Sequence, residues 1–324
     1  MNGYRKIKQL DEASLGDCYL VEKLGKQYAM KVVHHKEGSY YMELEFLKAA
    51  EHPFLISHIE DFPHPNELMQ KLCIVLEYAN GCDLRTKITT MGLKITENVA
   101  LNWFTHVCLG LAYMHYYGLA HVDIKPEYII IFGEETGGMA KLGDFWTNKQ
   151  VSDGCGCCHK VRPFQYFVPE MDRYQQDADI WQLGIVLYEM VSGGQFPFDY
   201  DFEKGYPQDY MEKLPSLEIK QLPDHISTRC KTLIIKMLEK DPAKRPTINE
   251  VLQSDIIKEK IRLITEQEVL GSDMAERIRK QLIDLEISLT QYSEIEENKE
   301  SLLPAPATLV TTQLSELSLQ PQDQ

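Results

Sequence analysis

His121-Val122-Asp123-Ile124-Lys125-Pro126-Glu127-Tyr128 is the stretch whose reading decides the fold. It sets a histidine, an aspartate and a lysine in a short loop between two apolar runs, Leu109 to Met114 before it and Ile129 to Phe132 after it. A loop so placed is held on two rigid elements. There an aspartate can accept a proton from a hydroxyl while a lysine two residues on neutralises a phosphate, and no core needs that pair.

Composition narrows the setting. The 324 residues leave room for two domains, and a hydrophobic fraction of 44% is ample for a sizeable core. A net charge of -15 excludes nucleic acid and acidic membrane as partners, because both need a basic footprint. A basic or neutral protein partner fits instead. No N-terminal apolar leader and no run long enough to span a bilayer is evident, so the eight cysteines are expected as free thiols in an intracellular, cytoplasmic setting.

Upstream of the loop, Tyr4 to His34 alternates polar and apolar residues in three runs, which predicts a three-stranded antiparallel meander. Its third run buries Lys31 among apolar neighbours, and a desolvated ammonium must find an anion. Tyr40 to Ala50 has helical spacing, Asp61 to Gln70 reads as a polar loop, and Leu72 to Ala79 reads as a strand. Glu97 to Tyr116 predicts a long buried helix that delivers the loop, with His115 as a plain helix-end residue. Ile129–Phe132 and Met139–Leu142 then form a hairpin that ends in Gly143-Asp144-Phe145-Trp146. Near the end, Ile278, Leu282, Leu285, Leu289 and Tyr292 recur at four-three spacing among charges. Such a helix either self-associates through 274–292 as a short coiled coil or packs back on the preceding domain. The Pro-, Thr- and Gln-containing end is expected to be disordered. No internal repeat is evident.

The segment GLAYMHYYGLAHVDIKPE resembles the catalytic loop of the eukaryotic protein kinases. Phe167-Val168-Pro169-Glu170, the run Asp177 to Gly184 and Asp241-Pro242-Ala243-Lys244-Arg245-Pro246-Thr247 resemble later signatures of the same family, in the right order. Lys125 points to the serine/threonine branch, and the hinge Cys73 to Ala79 with the tail from Asp255 looks like the NIMA-related kinases. The resemblance implies an α+β, bilobal fold over 4–263. Residues 4–79 would be a small lobe of antiparallel sheet plus one helix, and 80–263 a mainly helical large lobe. A helical extension (264–300) and a disordered tail (301–324) would follow.

The same resemblance implies ATP-dependent phosphoryl transfer to protein serine or threonine, with Mg2+ as cofactor and a protein substrate. Asp123 would take the hydroxyl proton, Lys125 steady the transferring group, and Asp144 carry magnesium. Lys31 would hold the phosphates, fixed by Glu43 or alternatively Glu45. Backbone groups of Glu77 and Ala79 would bind adenine, Ile130 would belong to the nucleotide pocket, and Gly16 would remain from the phosphate-covering loop. Asp83 is either a ribose ligand or a helix N-terminal carboxylate. His121 and Phe145 would play packing roles, Asp179 would cap the catalytic loop, and Arg245 would pair with Glu170. A cytoskeletal association rests on resemblance alone.

Departures from the family pattern matter as much. The glycine-rich loop reads Asp11, Ala13 and Gly16, with Glu12 and Asp17 adding negative charge, so it is either an ordinary hairpin turn or a weakened phosphate cover. Val122 replaces the arginine that reads an activation-loop phosphate, Tyr128 the metal-binding asparagine, Trp146 the glycine after Asp-Phe, and Pro163 a threonine. A neutral phenol is a poor magnesium ligand. These changes support the alternative of an inactive pseudokinase that binds nucleotide or serves as a scaffold. Cys155-Gly156-Cys157-Cys158-His159 is either a strained zinc site or a redox-sensitive loop.

Overall fold

Alternation from Arg5 to His34 yields three antiparallel strands, β1 (Arg5–Ala13), β2 (Gly16–Lys23) and β3 (Lys26–His34). β2 and β3 meet at a two-residue turn where Leu24 and Gly25 both adopt positive φ, 52° and 76°, the conformation that matches strand twist. The computed structural model describes residues 2–13, 16–34, 41–65, 71–79, 81–133, 138–144, 149–150, 163–170, 175–266 and 271–289. The side chains at 11–13, 16, 34, 41–43 and 149–150 lie outside that description.

Two more strands, β4 (His58–Pro63) and β5 (Lys71–Glu77), complete a five-stranded sheet of order β1-β2-β3-β5-β4. β4 corrects the reading of a loop beginning at Asp61. Its residues are mostly polar because it is an edge strand, and Phe62 alone stacks on Tyr4, at 6.1 Å between ring centroids. A helix, α1 (Tyr41–Ala49), packs Leu44 against Val33 and Ile74 of the sheet.

Beyond the sheet the chain is mainly helical, so the architecture is α+β and bilobal. In order come α2 (Leu84–Met91), α3 (Glu97–Tyr116), β6 (Leu119–Ala120), the hairpin β7 (Ile129–Phe132) and β8 (Met139–Leu142), and β9 (Lys149–Gln150), which pairs with β6. Then follow α4 (Gln176–Ser192), α5 (Pro207–Lys213), α6 (Thr228–Met237), α7 (Ile248–Leu252), α8 (Asp255–Glu266) and α9 (Ser272–Asp284). α3 and α4 are apolar nearly all round because they run through the core.

Two ties hold the hairpin on α3, and a third joins it to the strap that follows α1. Trp103 Nε1 donates to the Gly138 carbonyl (2.9 Å), and the Ala140 amide donates to His106 Nδ1 (3.2 Å). The strap Phe54–Ile56, leaving α1, exchanges backbone bonds of 2.9 Å with Leu142. α3 comes so close to this strap that a Cβ at Gly110 would lie 2.8 Å from the Phe54 carbonyl oxygen. The exit of the small lobe and the strand leading to Asp144 are thereby one unit.

α9 resolves the choice left by its amphipathic pattern. Ala275, Ile278 and Leu282 are buried, and Leu285 and Ile287 follow them into the core. Gln281, also buried, donates to the Leu109 carbonyl of α3 (2.8 Å) and accepts from His52 Nε2 (2.9 Å). The apolar seam that suggested self-association through 274–292 is thus spent within the chain as far as Leu289, a preformed core offering more cover than two heptads can. Residues 290–324, including the expected tail, lie outside the described residues. Among the described residues no helix is long and apolar enough to cross a membrane.

His52 and His106 make this junction pH-sensitive. Burial, with Lys141 and Arg277 nearby, pulls His52 down to about 4 despite the Gln281 bond, and burial alone pulls His106 to about 3. Both folded values lie below the ordinary 6.5, so the unfolded chain binds the extra protons. Stability is therefore full above pH ~6.5 and falls as pH drops towards 4, by about 1 kcal/mol per pH unit for each histidine. Urea unfolding of the wild type from pH 7 to 5 should show that loss, and His52→Gln should show about half of it. Equal slopes for the two proteins would contradict the assignment.

Candidate active site

The catalytic loop hangs from a polar stripe on an otherwise apolar helix. Asp179 of α4 is fully buried. Its Oδ2 accepts from the His121 amide (2.8 Å) and from His115 Nε2 (2.8 Å), and its Oδ1 from the Val122 amide (2.6 Å). One turn on, Gln182 accepts from the Ile124 amide (2.7 Å) and donates to the Val122 carbonyl (3.1 Å). A buried carboxylate needs such donors, and the loop backbone supplies them. Val122 is held at φ 60°, an outlier for a β-branched residue that costs about 1–3 kcal/mol. Bonds on both sides of its peptide groups keep it there. His115, read as a plain helix end, is one of the supports.

Thus hung, the loop faces β3 across a cleft. Lys31 reaches over and ion-pairs with Asp144, itself at φ 62°. His121, buried beneath, hydrogen-bonds through Nε2 to the Gly143 carbonyl (2.9 Å), which joins the loop to the Asp144 segment. Lys125 Nζ lies 3.3 Å from Asp123 Oδ2 and 4.0 Å over the ring of Tyr128. Tyr128 accepts the Gly143 amide on its carbonyl (2.9 Å). Burial, then the charges of Asp144 and Asp123, raise its pKa well above the ordinary value of 10.0, so the phenol stays protonated.

This donor set suits a hard divalent cation of the magnesium type. Such an ion takes one or two carboxylates and completes its shell with phosphate oxygens and water. Asp144 supplies a carboxylate beside an ammonium placed for phosphates. Among the described residues no cluster of three or more His, Cys, Asp or Glu could hold an ion unaided. Cys155, Cys157, Cys158 and His159 lie outside them, as do Phe145 and Trp146.

The nucleotide-side positions are assembled around β5 and β7. Glu77 anchors with its side chain, accepting from the Ser57 amide (2.8 Å) and from Lys141 Nζ (2.7 Å). Ala79 is buried just beyond it, and the following turn passes so close over β7 that a Cβ at Gly81 would sit 1.9 Å from the Ile131 carbonyl oxygen. Only glycine fits there. Asp83 N-caps α2, accepting from the Thr86 amide (2.7 Å) and hydroxyl (3.1 Å), and its backbone bridges to Ile130. Gly16 pairs through its backbone with Ala13 of β1 and Val33 of β3. Glu43 lies on α1 but its side chain is outside the described residues, and with it the expected Lys31–Glu43 pair.

Away from the cleft, the buried Arg245 makes a two-pronged pair with Glu170 (2.5 and 3.0 Å) and also donates to the carbonyls of Asp177 and Glu239. A second buried network had no counterpart in the sequence reading. Arg85 of α2 bonds Glu127 of the catalytic loop (2.9 Å), Glu189 of α4 (2.5 Å) and the Tyr166 hydroxyl, while Tyr166 donates to Glu189 (2.5 Å). Burial raises Glu189, and Arg85 opposes that effect. The signal was present but unread: Asp179, Gln182 and Glu189 fall on one stripe of a helix that is otherwise apolar from Ile180 to Leu187.

Comparison with known sequences places this geometry. The protein kinase domain family matches residues 4–257, most of the chain. The chain belongs to the protein kinase family. Its kinase relatives include the serine/threonine-protein kinase nekl-2 of Caenorhabditis elegans, 27% identical over 278 residues, or 79% of this chain and 75% of that protein. A putative serine/threonine-protein kinase A of Trypanosoma brucei brucei is 28% identical over 306 residues, 87% of this chain and 65% of the relative. The serine/threonine-protein kinase Nek1 of Mus musculus is 25% identical over 286 residues, 84% of this chain but 23% of the relative. The kinase thus spans less than two thirds of the last two, and its likeness lies with serine/threonine kinases of the NIMA-related kind.

The Asp179 anchor is open to direct test. Asp179→Asn replaces one oxygen of a carboxylate that takes three donors with an amide NH2, and should cost this kinase about 2–4 kcal/mol. Hydrogen exchange at the His121 and Val122 amides should accelerate selectively, beyond what global destabilisation explains. Unchanged local protection would show that the loop is held by other contacts.

Proposed function

We propose that this chain transfers the γ-phosphoryl group of ATP to a serine or threonine hydroxyl of a protein. The observation that supports the reading is the meeting of Lys31 from the small lobe with Asp144 from the large one, with the Asp123–Lys125 pair on the loop that His121 ties to Gly143. A scaffold has no use for that convergence of charge. Protein kinases use ATP and Mg2+, and the divalent ion, held on Asp144, would supply charge neutralisation at the phosphates.

The chain's own groups do the rest. Asp123 accepts the proton of the substrate hydroxyl as its oxygen bonds to the γ-phosphorus, and the bond to the β-γ bridging oxygen breaks to release ADP. Lys125, next to Asp123, offsets the charge spread over the equatorial oxygens. Lys31 exchanges Asp144 for the α- and β-phosphates when nucleotide enters. Backbone groups at Glu77 and Ala79 receive the adenine, with Ile130 lining the pocket. Asp83 has its carboxylate engaged by Thr86, so we assign it to capping and not to the ribose. An intracellular, cytoplasmic setting is supported by the free thiols at Cys73, Cys108 and Cys230, all buried.

Phosphate incorporation from labelled ATP into a generic basic substrate tests the reading. Asp123→Asn should lower the rate by about 100- to 10,000-fold while leaving the ATP-induced rise in Tm in place. Equal labelling by both proteins would remove the proposal. An absence of labelling and of any Tm shift in the wild type would leave an empty scaffold.

A further inference from the structure

The backbone of Tyr128 is pinned on both sides. Its amide donates to the Lys125 carbonyl (3.0 Å), closing the 3-10 turn Pro126–Tyr128, and its carbonyl accepts the Gly143 amide (2.9 Å). Side chains three apart in such a turn come together, so the side chain at this position is brought against Lys125. The ring meets it face on: the Lys125 ammonium sits over it, 4.0 Å from the centroid. The same ammonium lies 3.3 Å from Asp123 Oδ2, and Lys125 and Asp123 are both buried. Lys125 is thus held between one carboxylate and one aromatic face.

These two holds differ in what they leave of the charge. A carboxylate cancels the charge of an ammonium it pairs with, whereas a ring attracts the ammonium through its quadrupole and leaves the net positive charge in place. A lysine side chain gives up much rotamer freedom when it is fixed, and the ring offsets that loss without adding a counter-ion. The asparagine that the resemblance places here has no such face. We propose that Tyr128 is a positioning residue whose ring seats the Lys125 ammonium beside Asp123, where it meets the transferring phosphoryl group. The inference rests on the phosphotransfer reading and extends it: the ring acts through Lys125 on the transfer step, while nucleotide binding is left to Lys31 and the residues around β5 and β7. Removal of the ring therefore lowers kcat and leaves KM for ATP nearly as it was.

Steady-state phosphorylation by the full chain, as wild type, Tyr128→Phe, Tyr128→Leu and Tyr128→Met, separates ring from hydroxyl. Tyr128→Leu and Tyr128→Met should lose about 2- to 30-fold in kcat, the range that a cation–π contact of about 0.5–2 kcal/mol supplies, with KM for ATP within about twofold. Tyr128→Phe keeps the face and should run within about twofold of the wild type. A second measurement needs no turnover. In protein carrying lysine 13C-labelled at Cε, the Lys125 ε-methylene protons are identified by their disappearance in Lys125→Met. They should lie upfield of the ordinary lysine position in the wild type and in Tyr128→Phe, because they sit in the ring current, and should return to it in Tyr128→Leu. An unchanged kcat in Tyr128→Leu and Tyr128→Met, an equal loss in Tyr128→Phe, or an unshifted Lys125 signal in the wild type overturns the inference and leaves phosphotransfer standing. No labelling of substrate by the wild type removes both. If Tyr128→Leu and Tyr128→Met do not fold, the wild-type Lys125 signal and its persistence in Tyr128→Phe decide the matter.

Discussion

A buried carboxylate that must be satisfied is the constraint from which the site follows. Asp179 has no access to water, so its charge is tolerable only if hydrogen-bond donors surround it. They come from the backbone at His121 and Val122 and from the ring of His115. Meeting that demand fixes the loop's path and forces Val122 into a left-handed conformation that a β-branched residue would not otherwise adopt. Because Val122 immediately precedes Asp123, its strained peptide sets the direction in which the reactive carboxylate leaves the backbone. Strain here serves placement, and the helix beneath holds it in place.

Charge balance explains the cleft in the same terms. Two ammonium groups, Lys31 and Lys125, face two carboxylates, Asp144 and Asp123. Each pair is partly or wholly withdrawn from water, so neither is a simple source of stability, and the removal of one partner would leave a costly isolated charge. Such pairs are well suited to exchange. A triphosphate offers Lys31 a stronger anion than Asp144, and a cation offers Asp144 a replacement for Lys31, so the entering ligand can trade partners without stranding a charge.

Motif-bearing segments were legible in the sequence because chemistry leaves few substitutes for them. Asp123, Lys125, Asp144 and Lys31 stand among residues whose hydrophobic spacing already predicts strand, helix and hairpin. What could not be read was which polar atoms meet when partners lie far apart in the chain. His115 looked like a helix end because its partner is 64 positions away, and Arg85 gave no hint of Glu127, Glu189 and Tyr166. β4 escaped notice since Ile59 and Phe62, its two large apolar side chains, stand three apart and break the two-residue alternation that marks a strand. Tyr128 read as a loss when judged against a metal ligand. Its contact with Lys125 depends on a ring orientation that no spacing encodes.

The helix α9 extends the argument beyond the cleft. The turn at His52-Pro53-Phe54 is the place where the chain leaves α1 and enters the strap bonded to β8, so its position bears on both Lys31's lobe and Asp144's. His52 closes that turn by accepting the Phe54 amide on Nδ1 (3.2 Å), and Gln281 accepts from its other ring nitrogen, Nε2. Gln281 in turn is bonded to α3, the helix that delivers the catalytic loop. Two side chains therefore connect the C-terminal extension, the α1 exit and the loop-bearing helix through neutral hydrogen bonds in a dry interior, where an unmade bond costs about 1–3 kcal/mol. A rigid-body shift of either lobe against the other must break that chain or carry α9 with it. The extension accordingly belongs to the mechanics of the fold, and its apolar seam is better understood as the other half of the turn's packing than as a surface awaiting a partner.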